Sequence, residues 1–281
     1  MAVTCLDQKM SAEFAAYHGD CCEILPQLPA DSIGLSVFSP PFQSLFTYSD
    51  SERDMGNCGS DEEFNEHYGF VARELLRVTK PGRLCSVHCS DIPSTKWKDG
   101  EIGLKDFPGD IIRTHREAGW VYHDRITVWK DPVVEMTRTK ALGLLYKQLC
   151  KDSAMSRVGV PDYIIRFRKP GDNPDPIGQR PTDFPVEMWQ KWASPVWMDI
   201  RQTNTLNVQQ ARDNADDKHV CPLQLDLIER LVILGSNRGD VVLSPFMGVG
   251  SEAYGAVLNG RRAIGVELKA AYYKQAARNL E

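Results

Sequence analysis

Short apolar runs alternate along this chain with longer stretches in which apolar side chains recur every three or four residues. That alternation is the pattern of a parallel β-sheet flanked by helices, so the class read from it is α/β. Runs at 33–38, 84–89, 121–129, 163–168, 240–243 and 263–266 predict strands. Between them, 62–78 predicts a helix: Phe64, Tyr68, Val71, Leu75 and Val78 fall at spacings of three and four, and Lys80-Pro81-Gly82 ends it. Residues 110–118, 222–234, 251–258 and 270–280 predict further helices. The segment 131–218 loses the alternation and holds a Pro/Gly/Asp cluster over 170–181, which is turn and loop chemistry. It predicts an inserted lobe.

Composition narrows the field only a little. A chain of 281 residues is long enough to bury a core as one α/β domain with insertions, or as a domain plus a small lobe. With 42% hydrophobic and 25% charged residues, wholesale disorder and fibrous repeats are excluded. The longest apolar stretches, 33–38 and 227–234, are too short for a membrane span. No export signal is expected from the first residues, so the eight cysteines are expected as free thiols in a reducing, cytoplasmic setting. A net charge of −5 argues against coating nucleic acid by bulk electrostatics. One stretch runs the other way: 137–157 carries Arg138, Lys140, Lys147, Lys151 and Arg157 against the single acid Asp152. It reads either as a phosphate-facing patch or as a solvated helix face.

Two motifs carry chemistry. Near the end, the strand at 240–243 runs into Ser244-Pro245-Phe246-Met247-Gly248-Val249-Gly250-Ser251 and a helix, then a second strand ending at Glu267. Gly248 and Gly250 let the backbone turn sharply and approach a ligand, and the helix start offers free N–H groups. Glu267, at the carboxyl end of the next strand, is placed to accept from both hydroxyls of a ribose. An adenosine-type cofactor is the expectation; a tight turn that merely packs a helix on a sheet is the bland alternative.

Near the beginning, the strand at 33–38 stops at Ser39-Pro40-Pro41-Phe42. Two prolines fix φ, donate no hydrogen bonds and push Ser39 toward an extended conformation. The Ser39 hydroxyl and the Pro40 carbonyl then form a rigid pair of acceptors with the flat face of Phe42 beside them. Such a pocket suits a planar ring bearing an exocyclic NH2 group. Taken alone, the turn also serves simply to end a strand.

In this order the two motifs resemble the amino-group DNA methyltransferases that use S-adenosylmethionine, in their circularly permuted β-type arrangement. In that family a D/S/N-P-P-Y/F turn precedes the F-x-G-x-G cofactor loop, as Ser39 to Phe42 precedes Phe246 to Gly250 here. Further likeness lies in His18-Gly19-Asp20, in Leu76-Arg77-Val78-Thr79-Lys80-Pro81-Gly82, in Val128-Trp129-Lys130, in His219-Val220-Cys221-Pro222-Leu223-Gln224 and in Gly265-Val266-Glu267. The chain departs from the pattern at Ser244, where the cofactor loop usually opens with Asp, and at Ser39, which within the family is associated mainly with cytosine N4 where Asp is associated with adenine N6.

The resemblance implies a Rossmann-like methyltransferase sheet built from 1–130 and 219–281, with 131–218 as a target-recognition region. It implies Ser39, Pro40, Pro41 and Phe42 as catalytic residues. Asp20, Ser244, Phe246, Gly248, Gly250, Glu267, His219 and Pro222 would hold S-adenosylmethionine, and Trp129, Lys140, Lys147 and Lys151 would meet the substrate. Double-stranded DNA is the implied partner, and a homodimer and a restriction endonuclease partner stay open. Methylating an amine needs no activated cysteine and no metal, only alignment and a flipped base. The loop 43–60 is expected to close over it.

Three rivals stand beside this. A nicotinamide-dependent oxidoreductase would use the glycine bend and Glu267 but leave Ser-Pro-Pro-Phe without a task. A non-catalytic nucleic-acid-binding module would keep only the fold. A metal site at Cys85, His88 and Cys89 conflicts with strand geometry, because positions 85 and 89 share a face and 88 does not.

Overall fold

The structure is a computed structural model that describes residues 3–42, 53–94, 96–208 and 221–281. A hairpin of β1 (Asp7–Met10) and β2 (Phe14–His18) leads through the short helix α1 (Cys21–Ile24) to β3 (Ile33–Phe38). Helix α2 (Asp61–Val78) runs into β4 (Thr79–Cys89). A small ribbon of β5 (Ile92–Ser94) and β6 (Gly103–Lys105) encloses α3 (Lys96–Asp99), and α4 (Phe107–Glu117) precedes β7 (Val121–Val128). Then come α5 (Pro132–Thr139), α6 (Tyr146–Lys151), β8 (Asp162–Arg168), α7 (Val186–Trp192) and β9 (Val196–Trp197). The chain closes with α8 (Leu225–Gly235), β10 (Val241–Ser244), α9 (Ser251–Leu258), β11 (Arg262–Glu267) and α10 (Ala270–Asn279).

One sheet gathers these strands in the order β1-β2-β11-β10-β3-β4-β8-β7-β9. From β2 to β4 neighbouring strands run parallel, and β8 is antiparallel to both β4 and β7. The closing strands β10 and β11 are thus inserted between β2 and β3 of the opening segment. From β10 the chain crosses to β11 in one direction along the sheet, and from β3 to β4 in the other. Right-handed crossovers then put α9 and α2 on opposite faces. A crevice opens where the direction changes, outside the carboxyl ends of β3 and β10.

Each face has its own core. Phe64, Tyr68, Val71 and Leu75 of α2 pack with Phe107 and Ile111 of α4 and with Ile33 and Phe38 of β3. Leu227, Ile228 and Leu231 of α8 pack with Ala253, Ala256, Tyr273 and Ala276 of α9 and α10, and with Leu35 and Val37 of β3. All six residues of β3 are buried, as a central strand covered on both faces requires. α2 keeps its expected apolar stripe. Its start is fixed by the Ser60 hydroxyl, which accepts from the Glu63 amide, with three acids in the first turn.

The structure departs from the sequence reading in four places. The β1–β2 hairpin has no counterpart in the expected strands, because β1 is an exposed edge and β2 carries two small alanines rather than an apolar run. α2 ends at Val78 as expected, but Lys80-Pro81-Gly82 belongs to a strand that the sequence reading starts only at 84: β4 starts at Thr79, and Gly82, at φ 70°, bends it while its amide donates to the Lys169 carbonyl. α8 begins at Leu225 rather than 222, the Leu225 amide being taken by the Asn204 carbonyl. The segment 131–218 is not a separate lobe, for β8 is an interior strand of the sheet and β9 pairs with β7. What lies outside the sheet is an arm over 132–157 and a second stretch from 169 onward. Among the described residues no helix is long and apolar enough to cross a membrane.

Candidate active site

The glycine bend is shaped from below. Gly265 of β11 lies so close beneath it that a Cβ there would meet the Met247 sulfur at 2.1 Å. The Met247 amide donates to the Val266 carbonyl at 2.8 Å, and the bend then reverses through Gly248 and Gly250, both in the left-handed region at φ 55° and 90°. A Cβ on Gly250 would press on Ala276 of α10 at 3.2 Å, whereas one on Gly248 would meet nothing within 4 Å. Gly250 therefore packs, and Gly248 faces open space.

Glu267 sits beside that space, half-buried, with each carboxylate oxygen held once: Oε2 accepts from the Gly248 amide and Oε1 from the Lys269 amide, both at 2.8 Å. A carboxylate offers about four acceptor sites, so further capacity remains for a ligand's hydroxyls. Burial pushes this carboxyl up to about 7, against the pull of the two amides. Burial also pushes the neighbouring Glu252 up to about 8, with the Glu267 charge adding to it. β2 pairs His18 with Glu267, and the Gly19 amide donates to the Glu267 carbonyl. This brings Asp20 to the same corner, where its side chain caps α1 by accepting from the Cys22 amide. Buried Asp54, whose charge also raises Glu267, completes the acidic surround.

Do these residues fit an adenosine-type cofactor? At the tip of β10 and the start of α9, the Ser244 and Ser251 hydroxyls are buried without a hydrogen-bond partner among the described residues. Orphaned hydroxyls, a ribose-ready carboxylate and an open space before Gly248 are the donor and acceptor set that such a group needs.

The Ser-Pro-Pro-Phe turn lies across the crevice. β3 and β10 are parallel neighbours, with Leu243 in register with Ser36, so both motifs leave the same edge of the sheet. The ring of Phe38, just before Ser39, lies 5.8 Å from that of Phe246 in the bend. Pro40 is buried; Ser39, Pro41 and Phe42 are partly exposed. Phe42 is steadied edge-on by Phe107 at 5.5 Å.

Behind Ser39 runs a polar chain. Its Oγ is 2.9 Å from His88 Nδ1 and 3.3 Å from the His88 carbonyl oxygen. His88 Nε2 is 3.4 Å from Asp162 Oδ2, and Lys130 Nζ donates to Asp162 Oδ1 at 2.7 Å. Burial alone would raise the Asp162 carboxyl, but His88 and Lys130 outweigh it and hold it at about 2. Cys85 and Cys89 turn into the core below while His88 turns to Ser39, which removes the metal reading of those three residues.

Trp129 follows β7, partly exposed, its amide donating to the Trp197 carbonyl. Its neighbour Lys130 ties it to the acceptor corner. Lys140, Lys147 and Lys151 are exposed on the arm, and none forms an ion pair with a described residue. Arg157 does not share that freedom, being bound to buried Glu135. Arg166 and Lys169 are also committed, to Asp124 and Asp31. Of the tryptophans in the stretch after β8, Trp197 is core and Trp189 is 56% exposed. Pro222 is half-buried ahead of α8, close in sequence to Leu225, which is bonded to Asn204; the adjoining Leu206 and Val208 pack on Val249 of the bend. His219 and residues 43–52 of the expected closing loop lie outside the described residues.

Comparison with known proteins agrees with this geometry. The profile of the N6/N4 DNA methylases matches residues 33–278, most of the chain. The chain belongs to this DNA methylase family. It is an S-adenosylmethionine-dependent DNA amino-methyltransferase, acting on N4 of cytosine or N6 of adenine. It is 45% identical to the type II methyltransferase M1.MboII of Moraxella bovis over 268 residues, covering 92% of each chain. Some other curated relatives are longer, and it spans between 42% and 69% of three of them. TTHA0409 of Thermus thermophilus, solved in complex with S-adenosyl-L-methionine, is 26% identical with a TM-score of 0.69 over 96% of both chains. The cytosine-N4-specific PvuII methyltransferase superposes with a TM-score of 0.68 over 97% of this chain and 88% of its own, at 18% identity, a likeness of fold.

Asp162 and Glu252 carry no role in the sequence reading; His88 enters it only in the metal reading and Lys130 only beside Trp129. A signal existed for His88: a lone imidazole between Val87 and Cys89 in a strand otherwise buried is a polar position that packing alone does not explain.

Proposed function

We propose that the Ser39 hydroxyl and the Pro40 carbonyl take the two hydrogens of a flipped base's exocyclic amine while Glu267 holds the ribose of S-adenosylmethionine across the crevice. The observation that carries this reading is the shared edge of β3 and β10, with Phe38 against Phe246. Asp20, Ser244, Phe246, Gly248 and Gly250 complete the cofactor side, with His219 and Pro222 at its rim. When bound, the cofactor supplies an electrophilic sulfonium methyl.

The amine's lone pair is delocalised into the ring, so it is a weak nucleophile. Fixed acceptors on its hydrogens favour the pyramidal nitrogen of the transition state more than the planar ground state. Pro40 and Pro41 keep those acceptors from rearranging, which is the reason for stiffness at this corner. Flipping costs a few kcal/mol of unstacking, offset by Phe42 and by Trp129 at the same corner. The arm's Lys140, Lys147 and Lys151 meet phosphates, and 131–157 with the stretch after β8 reads the target. A restriction endonuclease of matching specificity is the protein partner that kinship with type II methyltransferases suggests.

The acceptor pair serves cytosine N4 and adenine N6 alike. The leading Ser39 is the feature that favours cytosine N4. Mass spectrometry of nucleosides from DNA of a host expressing the protein decides it: N4-methylcytosine supports the reading, N6-methyladenine moves the target to adenine, and no methylated amine at all overturns the function.

A further inference from the structure

Given Ser39 as an acceptor for the amine, one hydroxyl hydrogen has two places to go. It can point to the His88 carbonyl oxygen, 3.3 Å away, with His88 Nδ1–H then donating to Ser39 Oγ and using one of its lone pairs. Or it can point to an unprotonated Nδ1 at 2.9 Å, which leaves both Ser39 lone pairs free for the crevice. Which arrangement holds depends on where the imidazole keeps its proton. Asp162 lies 3.4 Å from Nε2, a charge contact rather than an aligned hydrogen bond, and among the described residues the charged groups set against His88 are this carboxylate and, behind it, Lys130. An ionised carboxylate at Nε2 favours the Nε2–H tautomer, so Nδ1 is the acceptor.

We propose that His88, oriented by Asp162, is a positioning residue for methyl transfer: it turns the Ser39 hydroxyl so that its lone pairs face the target amine, and it receives the proton the amine sheds.

The balance is as follows. The nitrogen lone pair forms the N–CH3 bond as the S–CH3 bond breaks, its electron pair remaining on sulfur. The cationic amine passes one hydrogen to Ser39 Oγ as the Ser39 proton moves to His88 Nδ1. The resulting imidazolium lies against Asp162 and returns its proton to solvent after product leaves. Lys130 has a second duty. It and Asp162 stand at the two ends of the arm over 132–157, so their ion pair closes the base of the arm and fixes the carboxylate that fixes His88.

His88→Gln is expected to bind S-adenosylmethionine and DNA within about twofold of wild type and to transfer methyl about 100-fold more slowly. Asp162→Asn is expected to slow transfer by less, with binding likewise unchanged. A readout free of turnover comes from nitrogen-15 histidine spectra of the cofactor-free protein, where His88 is expected as the Nε2–H tautomer and Asp162→Asn as a mixture. Ser39→Ala separates the layers of the argument. If it leaves the rate unchanged, the acceptor reading fails. If it abolishes transfer while His88→Gln stays within threefold of wild type, or if the spectra show Nδ1–H, the acceptor survives and the His88 proposal is overturned.

Discussion

The two corners of the crevice each hold a carboxylate, and their environments push the two in opposite directions. Asp162, at the acceptor corner, is held at about 2 because His88 and Lys130 outweigh its burial. Glu267, at the cofactor corner, is pushed up to about 7 because burial outweighs the two amides that hold it. The acceptor corner is stiffer before any ligand arrives: its carboxylate is paired, its turn is stiffened by prolines and its ring is wedged by Phe107, although His88 Nε2 has no hydrogen-bond partner among the described residues. The cofactor corner is unfinished. Its serines lack partners among the described residues, and Glu252 and Glu267 crowd one another beside a bend that faces open space. On the proposed reading, preorganisation is concentrated where charge changes in the reaction, and the capacity to gain from binding is concentrated where the cofactor is held.

The largest break in this contrast is expected from the stiff side. Ser39→Ala should lower the single-turnover rate by about 100- to 1000-fold, as removal of one transition-state hydrogen bond does, while calorimetry finds cofactor affinity unchanged. Glu267→Gln should do the converse, weakening S-adenosylmethionine by about 10- to 100-fold with a smaller effect on the rate at saturation. The same residue gives a pH test. In the proposed site ribose hydroxyls bind the ionised carboxylate, so wild-type affinity should fall as pH is lowered through about 7, by at most about tenfold per unit, and Glu267→Gln should flatten that dependence.

Much of this contrast is visible in the sequence, and the reasons differ by region. The interior strands β3, β10 and β11 and helix α2 announce themselves because burial on both faces, or a stripe at helical spacing, leaves a strong pattern. Proline pairs and glycine bends are equally plain, since each forces a backbone. The hairpin at the start is silent because an edge strand and alanines carry little hydrophobic signal. The strand at 163–168 is legible, but its place inside the sheet is not, because β8 is reached only after 33 residues outside the sheet, between Val128 and Asp162. The polar chain from Ser39 to Lys130 joins four residues spread from 39 to 162, and only the pairing of β4 with β8 brings them together.

Smaller effects sharpen the picture. Neutralising Lys140, Lys147 and Lys151 together should weaken DNA binding and lower its logarithmic salt slope by about 2.7, with little change at the chemical step; an unaltered slope moves the phosphate contacts elsewhere. Glu252 is raised from 4.5 to about 8, so the stability it lends is fully present below about pH 4.5 and is lost as pH rises through 8. Glu252→Gln should therefore raise the stability of the cofactor-free protein at pH 8 by on the order of 1–3 kcal/mol and leave it nearly unchanged at pH 5, as read by thermal melting.

A crystal structure with S-adenosylhomocysteine and a DNA duplex tests the central geometry most directly. The expected complex has ribose hydroxyls on Glu267 and an extrahelical base whose exocyclic nitrogen lies within hydrogen-bonding reach of both Ser39 Oγ and the Pro40 carbonyl oxygen, its ring against Phe42. A ribose held by other residues, or a base bound away from the common edge of β3 and β10, would contradict it.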